Sequence, residues 1–293
     1  MENQLAELRT LASRADNGRT GIPRVATVQG PVPQHELTAV FDPMVTLVLQ
    51  GSTSLTIGSG TLVYDSETYF VLSLDLPAVG AVHPTPAGEP YLAVSLTIDP
   101  DIVGDMLSQE GGPVPSAGEG GFSVASVTPE FLDAWLRMLR LKGSPAEIAI
   151  LAPAYEREIL YRVLQGPHGS TLRDMAAPDT ALSRIRLAIQ WIRTHFADPL
   201  RVEMLAEIAA MSPSAFHRHF KAATAMSPLQ FQKHVRLLQA RTLLIAGGKS
   251  TSAVALAVGY ESGSQFSREY SRFFGSPPAM DAAVVVRDLG CAA

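Results

Sequence analysis

Two groups of side chains stand out for the chemistry they could do together. Ser214, His217, Arg218 and Lys221 share one side of a helical wheel that carries Phe216 and Phe220 on its other side. Fifty positions on, Ser264, Gln265, Arg268 and Arg272 stand opposite Phe266, Tyr270, Phe273 and Phe274. Each group is a solvent face of hydroxyl, amide, imidazole and cationic groups backed by an aromatic stripe. Such faces form hydrogen bonds and attract anions.

The elements that would position these faces follow from spacing. Leu205, Ile208 and Ala209 give residues 202–211 one apolar helical face. Ser212 supplies an N-cap and Pro213 suits the first helical position, so a second helix starts there. The pattern then repeats, with Ala253, Leu256 and Ala257 on a small apolar helix, Gly259 at a tight turn and Ser262 as the next cap. A helical pattern over 229–246 fills the gap. The expectation is helix-turn-helix, connecting helix, helix-turn-helix, two units able to enter successive major grooves about 34 Å apart on one face of a duplex.

Charge supports that partner. The chain has 293 residues and a net charge of −5, but residues 184–280 hold 12 Lys or Arg against 5 Asp or Glu, a local balance of +7, while residues 1–183 hold 10 against 21, or −11. A basic module facing phosphates and an acidic module repelled by them is the reading. At 46% apolar and 17% charged residues the composition is that of a globular chain long enough for two cores. The single cysteine, Cys291, excludes an intramolecular disulfide and fits a cytoplasmic setting. No run of about twenty apolar residues marks a membrane span, and the charged start does not read as a signal peptide.

Upstream, residues 2–14 read as one short surface helix and residues 17–30 as turn-rich. From Thr38 to Ile98 short apolar segments alternate with Gly, Ser, Pro and Asp turns, the pattern of a small antiparallel sandwich or barrel. The Gly-, Pro- and Ser-rich stretch from Ser108 to Ala125 reads as a mobile linker. Phe131, Leu132, Trp135, Leu136, Met138 and Leu139 then form one apolar helical stripe, and a second helix begins at Pro145, with Pro153 a potential kink. Asp179 or Thr180 can cap a longer helix whose apolar stripe includes Trp191, read as core. The fold class is α+β in two domains: residues 1–166, a hinge over 167–180, and residues 181–293.

The C-terminal third resembles the DNA-binding domain of the AraC/XylS family of transcription regulators, on Ala206, Ser212-Pro213, Phe220-Lys221, Gly259-Tyr260, Phe266-Ser267-Arg268, Phe274-Gly275 and Ser276-Pro277. It departs at Ala225, where the family usually has glycine, and at Met280-Asp281, which replaces a Tyr-Arg close. The resemblance implies that Ser214, His217 and Arg218 read bases from the first unit and Ser264, Gln265 and Arg268 from the second, with Lys221 and Arg272 on phosphates. Their chemistry fits, since Arg pairs bidentately with guanine and Gln with adenine. Double-stranded DNA is the implied partner, with RNA polymerase a further one.

The upstream region is similar to the cupin-like effector domain of the same regulators, through QGS at Gln50–Ser52, LVYD at Leu62–Asp65, SLDLP at Ser73–Pro77 and EPYLAVSL at Glu89–Leu96. That implies a barrel able to hold a small-molecule effector, and a homodimer formed through the helices in 129–165; packing of those helices on the barrel is the other reading. Phe41, Tyr64, Tyr69, Phe70 and Tyr91 are candidates for the pocket lining, or simply for the barrel core. A catalytic cupin needs about three imidazoles and a carboxylate on one ion. The segment has only His35 and His83, so neither a metal nor another cofactor is expected, and an enzyme with a helical appendage is disfavoured. A ligand-free architectural DNA binder is the remaining alternative.

Overall fold

The computed structural model describes residues 1–13, 19–30, 32, 37–110 and 120–291. His35 lies outside the described residues, as does the middle of the stretch expected to be a linker.

The N-terminal domain opens with α1 (Glu2–Ser13) and continues through β1 (Val25–Gln29), β2 (Thr38–Phe41), β3 (Met44–Gln50), β4 (Ser52–Ile57), β5 (Gly60–Asp65), β6 (Thr68–Leu72), β7 (Leu76–His83) and β8 (Leu92–Thr97). It then runs through α2 (Pro100–Glu110), β9 (Phe122–Ser126), α3 (Pro129–Arg140), α4 (Pro145–Gln165) and α5 (Gly169–Ala176). All strand pairs are antiparallel, in one sheet of order β1-β8-β3-β6-β9 and a second of order β2-β7-β4-β5.

Burial explains the two kinds of strand pattern. In β4 the residues Thr53, Leu55 and Ile57 alternate inward with half-exposed neighbours. In β3 and β6 nearly every residue is buried, because both strands lie inside the larger sheet and β3 is covered on its outer side by α1. Leu5 and Leu8 of α1 are buried against β3, β8 and α3, so this helix is an integral layer.

Several elements differ from the sequence expectation. β7 contains Pro77 and Gly80, both strand-weakening signals, yet it sits between β2 and β4. β1 forms within the stretch read as turn-rich. The expected linker from Ser108 begins inside α2 and ends inside β9, which pairs with β6 from Thr68↔Ser126 to Leu72↔Phe122. The stretch 167–180 holds α5, whose Leu172 and Met175 are fully buried and which packs against α2, α4 and the next helix. Gly and Ser near its start conceal its i, i+3 apolar pair.

The C-terminal domain comprises α6 (Ala181–Thr194), α7 (Val202–Ile208), α8 (Pro213–Thr224), α9 (Pro228–Ala246), α10 (Thr251–Ala257), α11 (Gly263–Phe274) and α12 (Pro278–Cys291). Thr180 caps α6 through an Oγ1 that accepts from the Ser183 amide. Trp191 is only half-buried and stacks on His195, with centroids 4.5 Å apart. It packs against the main core from its edge and covers the helix end as well.

The cores divide unevenly. One continuous apolar cluster runs from Leu5 through both sheets and α3–α6 into the first helical unit, to Phe216, Phe220, Phe231 and Val235. The second unit has its own cluster around Leu237, Ala240, Val254, Phe266 and Tyr270. Among the described residues no helix is long and apolar enough to cross a membrane.

Two histidines, His168 buried and His234 half-buried, give the fold an acid limit. His168, at the head of α5, meets Ser123 through Nδ1 and Tyr69 edge-on, and burial lowers its imidazole to about 4. Burial and then Lys233 lower His234, on α9 against Phe273, to about 4 as well. An imidazole unperturbed near 6.5 in the unfolded chain takes up protons there before it does so in the fold. The stability that depends on the neutral rings is thus present above about pH 6.5 and is lost as pH falls toward about 4. Urea midpoints measured at pH 7, 5.5 and 4.5 should fall in that order, and His168→Gln should flatten the decline.

Candidate nucleic-acid interface

The two helical units are built by the same local device. In the first, Met211 N–H donates to Ala206 O at 2.9 Å; in the second, Tyr260 N–H donates to Ala255 O at 2.9 Å. Both closures need a left-handed residue just before, Ala210 at φ 49° and Gly259 at φ 85°. Gly259 has a further reason, since a Cβ there would lie 2.1 Å from Ala197 O. Ser212 Oγ then accepts from the Ala215 amide, and Ser262 Oγ from the Gln265 amide, each at 3.3 Å.

With the caps set, the aromatic stripes turn inward. Phe216, Phe220, Phe266 and Tyr270 are fully buried, and Phe220 meets Phe231 of α9 edge-on at 5.6 Å. The opposite faces are open: Ser214, His217, Arg218 and Lys221 on α8 and Ser264, Gln265, Arg268 and Arg272 on α11 are all exposed. Their contacts are local and weak. Arg218 meets the neighbouring His219 at 3.3 Å, Arg268 Nε donates to Ser264 O at 3.3 Å, and Gln265 donates to Glu269 at 3.3 Å. Side chains held this loosely are free to exchange those partners for base edges or phosphates.

What joins the two faces was not legible in the sequence. On α9, Arg236 sends its guanidinium N–H groups to the carbonyls of Phe196, Ala197, Asp198 and Gly259. Those oxygens belong to the loop after α6 and to the turn between α10 and α11. Gln232, one turn earlier, donates to Phe196 O and Asp198 O. A planar five-donor fork suits this task, and burial lowers the Arg236 pKa while the Tyr260 ring lies 5.9 Å away.

The family departures also find physical reasons. Ala225 ends α8 at φ 57° and ψ 13°, so the position does require the left-handed region that glycine occupies freely. Asp281 forms a buried bidentate pair with Arg241 at 2.8 Å and accepts from Tyr270 Oη at 2.7 Å. Where the family has an arginine, this chain uses a carboxylate to pin α12 onto α9 and α11.

The N-terminal domain grips the first unit from behind. Arg193 of α6 pairs with Asp42 at 3.1 Å and with Asp75, both at the same end of the β2–β7 pair. Burial pushes the Asp75 carboxyl up from its ordinary range, and the Arg193 charge opposes that shift. Gly121 N–H donates to Ala223 O at 3.0 Å, and Gly58, at the β4–β5 turn, lies so near the end of α8 that a Cβ would come 2.6 Å from Ala225 O. α9 packs on β2 and β7.

Between the two sheets is a cavity of about 180 Å³. Phe41, Tyr64, Phe70 and Tyr91 line it as the sequence reading proposed. Tyr69 does not. One residue from Phe70 on β6, it points to the other face of the sheet and packs on Phe131 at 4.4 Å. His83 ends β7 on the surface, beside Ser54. Among the described residues no three His, Cys, Asp or Glu side chains are grouped to hold a metal ion.

Two substitutions test this architecture. Ala225→Gly should raise stability by about 1 kcal/mol, since it removes a left-handed alanine whose conformation costs about that much. A higher urea midpoint at unchanged slope would register it. Arg236→Met should lower stability by about 2–3 kcal/mol, the range for charged hydrogen bonds left unmade. Amide exchange should then quicken in 251–274 more than in the strands.

The comparisons with known proteins agree with this anatomy. The family model for the AraC-type transcriptional regulator N-terminus matches residues 21–171, and a helix-turn-helix domain model matches residues 205–280. The HTH-type transcriptional activator RhaS of Escherichia coli (strain SE11) is 30% identical over 100 residues, which are 34% of this chain and 36% of the relative. RhaS of Shigella boydii serotype 18 is 29% identical over the same shares. The match thus spans about a third of these relatives' length. An apo ToxT variant from Vibrio cholerae superposes with a TM-score of 0.58 and 9% identity over 88% of this chain and 97% of that one. ToxT from the same organism with unsaturated fatty acid bound gives 0.56 and 10%, over 88% and 93%. At such identities the likeness is one of fold.

Proposed function

The chain belongs to the family of AraC-type transcriptional regulators, and on that premise we propose that it reads a specific DNA site through α8 and α11 under the control of a small molecule held between its sheets. The observation that carries this reading is the pair of equivalent exposed faces, each backed by buried aromatic residues and joined through Arg236. Ser214, His217 and Arg218 address bases in one major groove and Ser264, Gln265 and Arg268 in the next, while Lys221 and Arg272 hold phosphates.

The domain division goes with this reading. Residues 1–166 form the effector and dimerisation module and 181–293 the DNA module, with α5 between them as a packed connector. A dimer through the helices of 129–165 is supported by apolar side chains left outside: Ile150 is 76% exposed and Tyr161 is also open. ToxT, which shares this fold, was solved with unsaturated fatty acid bound, and that supports a small-molecule effector here. The name of RhaS as an activator supports activation, with RNA polymerase as the partner to be met.

Selection from a random duplex library with the full chain should recover a motif spanning two adjacent major grooves. Weak, unselective binding at every salt concentration would overturn the reading. Arg268→Ala should cost about 1–3 kcal/mol on the selected site and relax the choice at one base pair. Lys221→Ala should instead weaken all sequences about equally and reduce the salt slope by about one. Competition assays on mismatched duplexes at two salt concentrations separate these outcomes.

A further inference from the structure

We propose that the cavity between the sheets takes an uncharged molecule of single-ring size that carries one hydrogen-bond-accepting oxygen; this rests on the effector reading and names its ligand class. Size is the first argument. At about 180 Å³ the space exceeds only slightly the roughly 150 Å³ that accommodates benzene, and it is below the range of about 300 Å³ and more that drug-sized ligands use.

The lining supplies the second. Phe41, Leu55, Phe70 and Val82 give apolar walls, with Tyr64 and Phe70 stacked 13° from parallel at 5.1 Å, a flat surface suited to a ring. Among the described residues no Lys, Arg, Asp, Glu or His lines the space. A carboxylate or ammonium entering it would lose its water with no counter-charge, at a cost of several kcal/mol. Neutral ligands pay no such penalty.

The hydroxyls supply the third. Thr53 Oγ1 donates to Tyr91 Oη at 2.6 Å, and the Tyr64 ring lines the same space. That bond uses the Thr53 proton and leaves the Tyr91 phenol proton unspent. Tyr91 is 4% exposed, and burial pushes its phenol up to about 12, so the group stays neutral and able to donate. A carbonyl, ether or hydroxyl oxygen in the cavity would accept that proton.

The test uses the full chain and five probes: p-cresol, acetophenone, toluene, benzoate and benzylammonium. Calorimetry and thermal unfolding should show binding by p-cresol and acetophenone, with the two ions at least tenfold weaker. Tyr91→Phe keeps the shape and removes the hydroxyl. It should weaken acetophenone about five- to tenfold and leave toluene unchanged. Retention of selective DNA binding by that variant verifies its fold, and Thr53→Val, which loosens the same hydroxyl cluster, should shift the acetophenone-to-toluene ratio in the same direction. Ions that bind as tightly as the neutral rings, an equal loss for toluene and acetophenone, or no binding by any probe would each overturn the ligand class. A neutral probe that binds without altering DNA affinity upholds it and defeats only the effector reading.

Discussion

The relation between the two exposed faces depends on how one half-buried cation satisfies backbone oxygens. The end of α6 and the turn before α11 both present carbonyls that no helix or strand can pair, and the Arg236 fork takes four of them. Gln232 donates to two of the same oxygens, so the loop after α6 is held by two side chains of α9. Because the acceptors lie on two different units, meeting them also fixes the distance and angle between α8 and α11. The close approach of Gly259 to Ala197 follows from the same constraint, since the turn must come near enough for one guanidinium to span both.

The first unit answers to a second constraint as well. Its Phe216 and Phe220 belong to the apolar cluster that continues into both sheets, whereas Phe266 and Tyr270 do not. The first recognition helix is thus part of the N-terminal domain's core in packing terms. The second is attached to it through α9, by Arg236, by the Arg241–Asp281 pair and by the contacts of α10 and α12, and through the loop after α6, where Phe196 packs on its cluster and Ala197 meets Gly259. An interface that carries apolar burial and the Arg193 pairing on one side, and a connecting helix with one loop on the other, is stiff where the sheets meet α8.

Much of this was legible because it is periodic. The caps at Ser212 and Ser262, the aromatic stripes and the polar faces all recur at helical spacing, and the strands from β3 to β6 alternate or run apolar as their burial requires. What escaped was of two kinds. β7 and α5 contain proline, glycine or serine at positions where tertiary packing overrides local preference. Arg193 meets Asp75 across 118 residues of chain, Arg236 reaches Phe196 across 40 and Gly259 across 23, and Asp281 pairs with Arg241 across 40, and nothing in their immediate neighbours distinguishes them from surface charges. Tyr69 shows the complementary limit: composition placed it among pocket aromatics, but strand alternation assigns it and Phe70 to opposite faces.

The position of the grip bears on how control could work. Gly121, Gly58, Asp42 and Asp75 touch α6 and the C-terminal end of α8, while every proposed reading side chain on α8 and α11 stays open to solvent. The described residues of the N-terminal domain therefore leave the reading faces open. It can influence them by moving what lies behind them. Phe41 lines the cavity and is followed directly by Asp42, which holds Arg193; Phe41 also pairs with Leu76, next to Asp75. A molecule that displaced Phe41 would shift both carboxylates that hold α6, and β2 and β7 would press on α9 together. Since α9 carries the Arg236 link between the two units, a small change at its root would turn α11 relative to α8. A duplex with fixed groove spacing is sensitive to that angle.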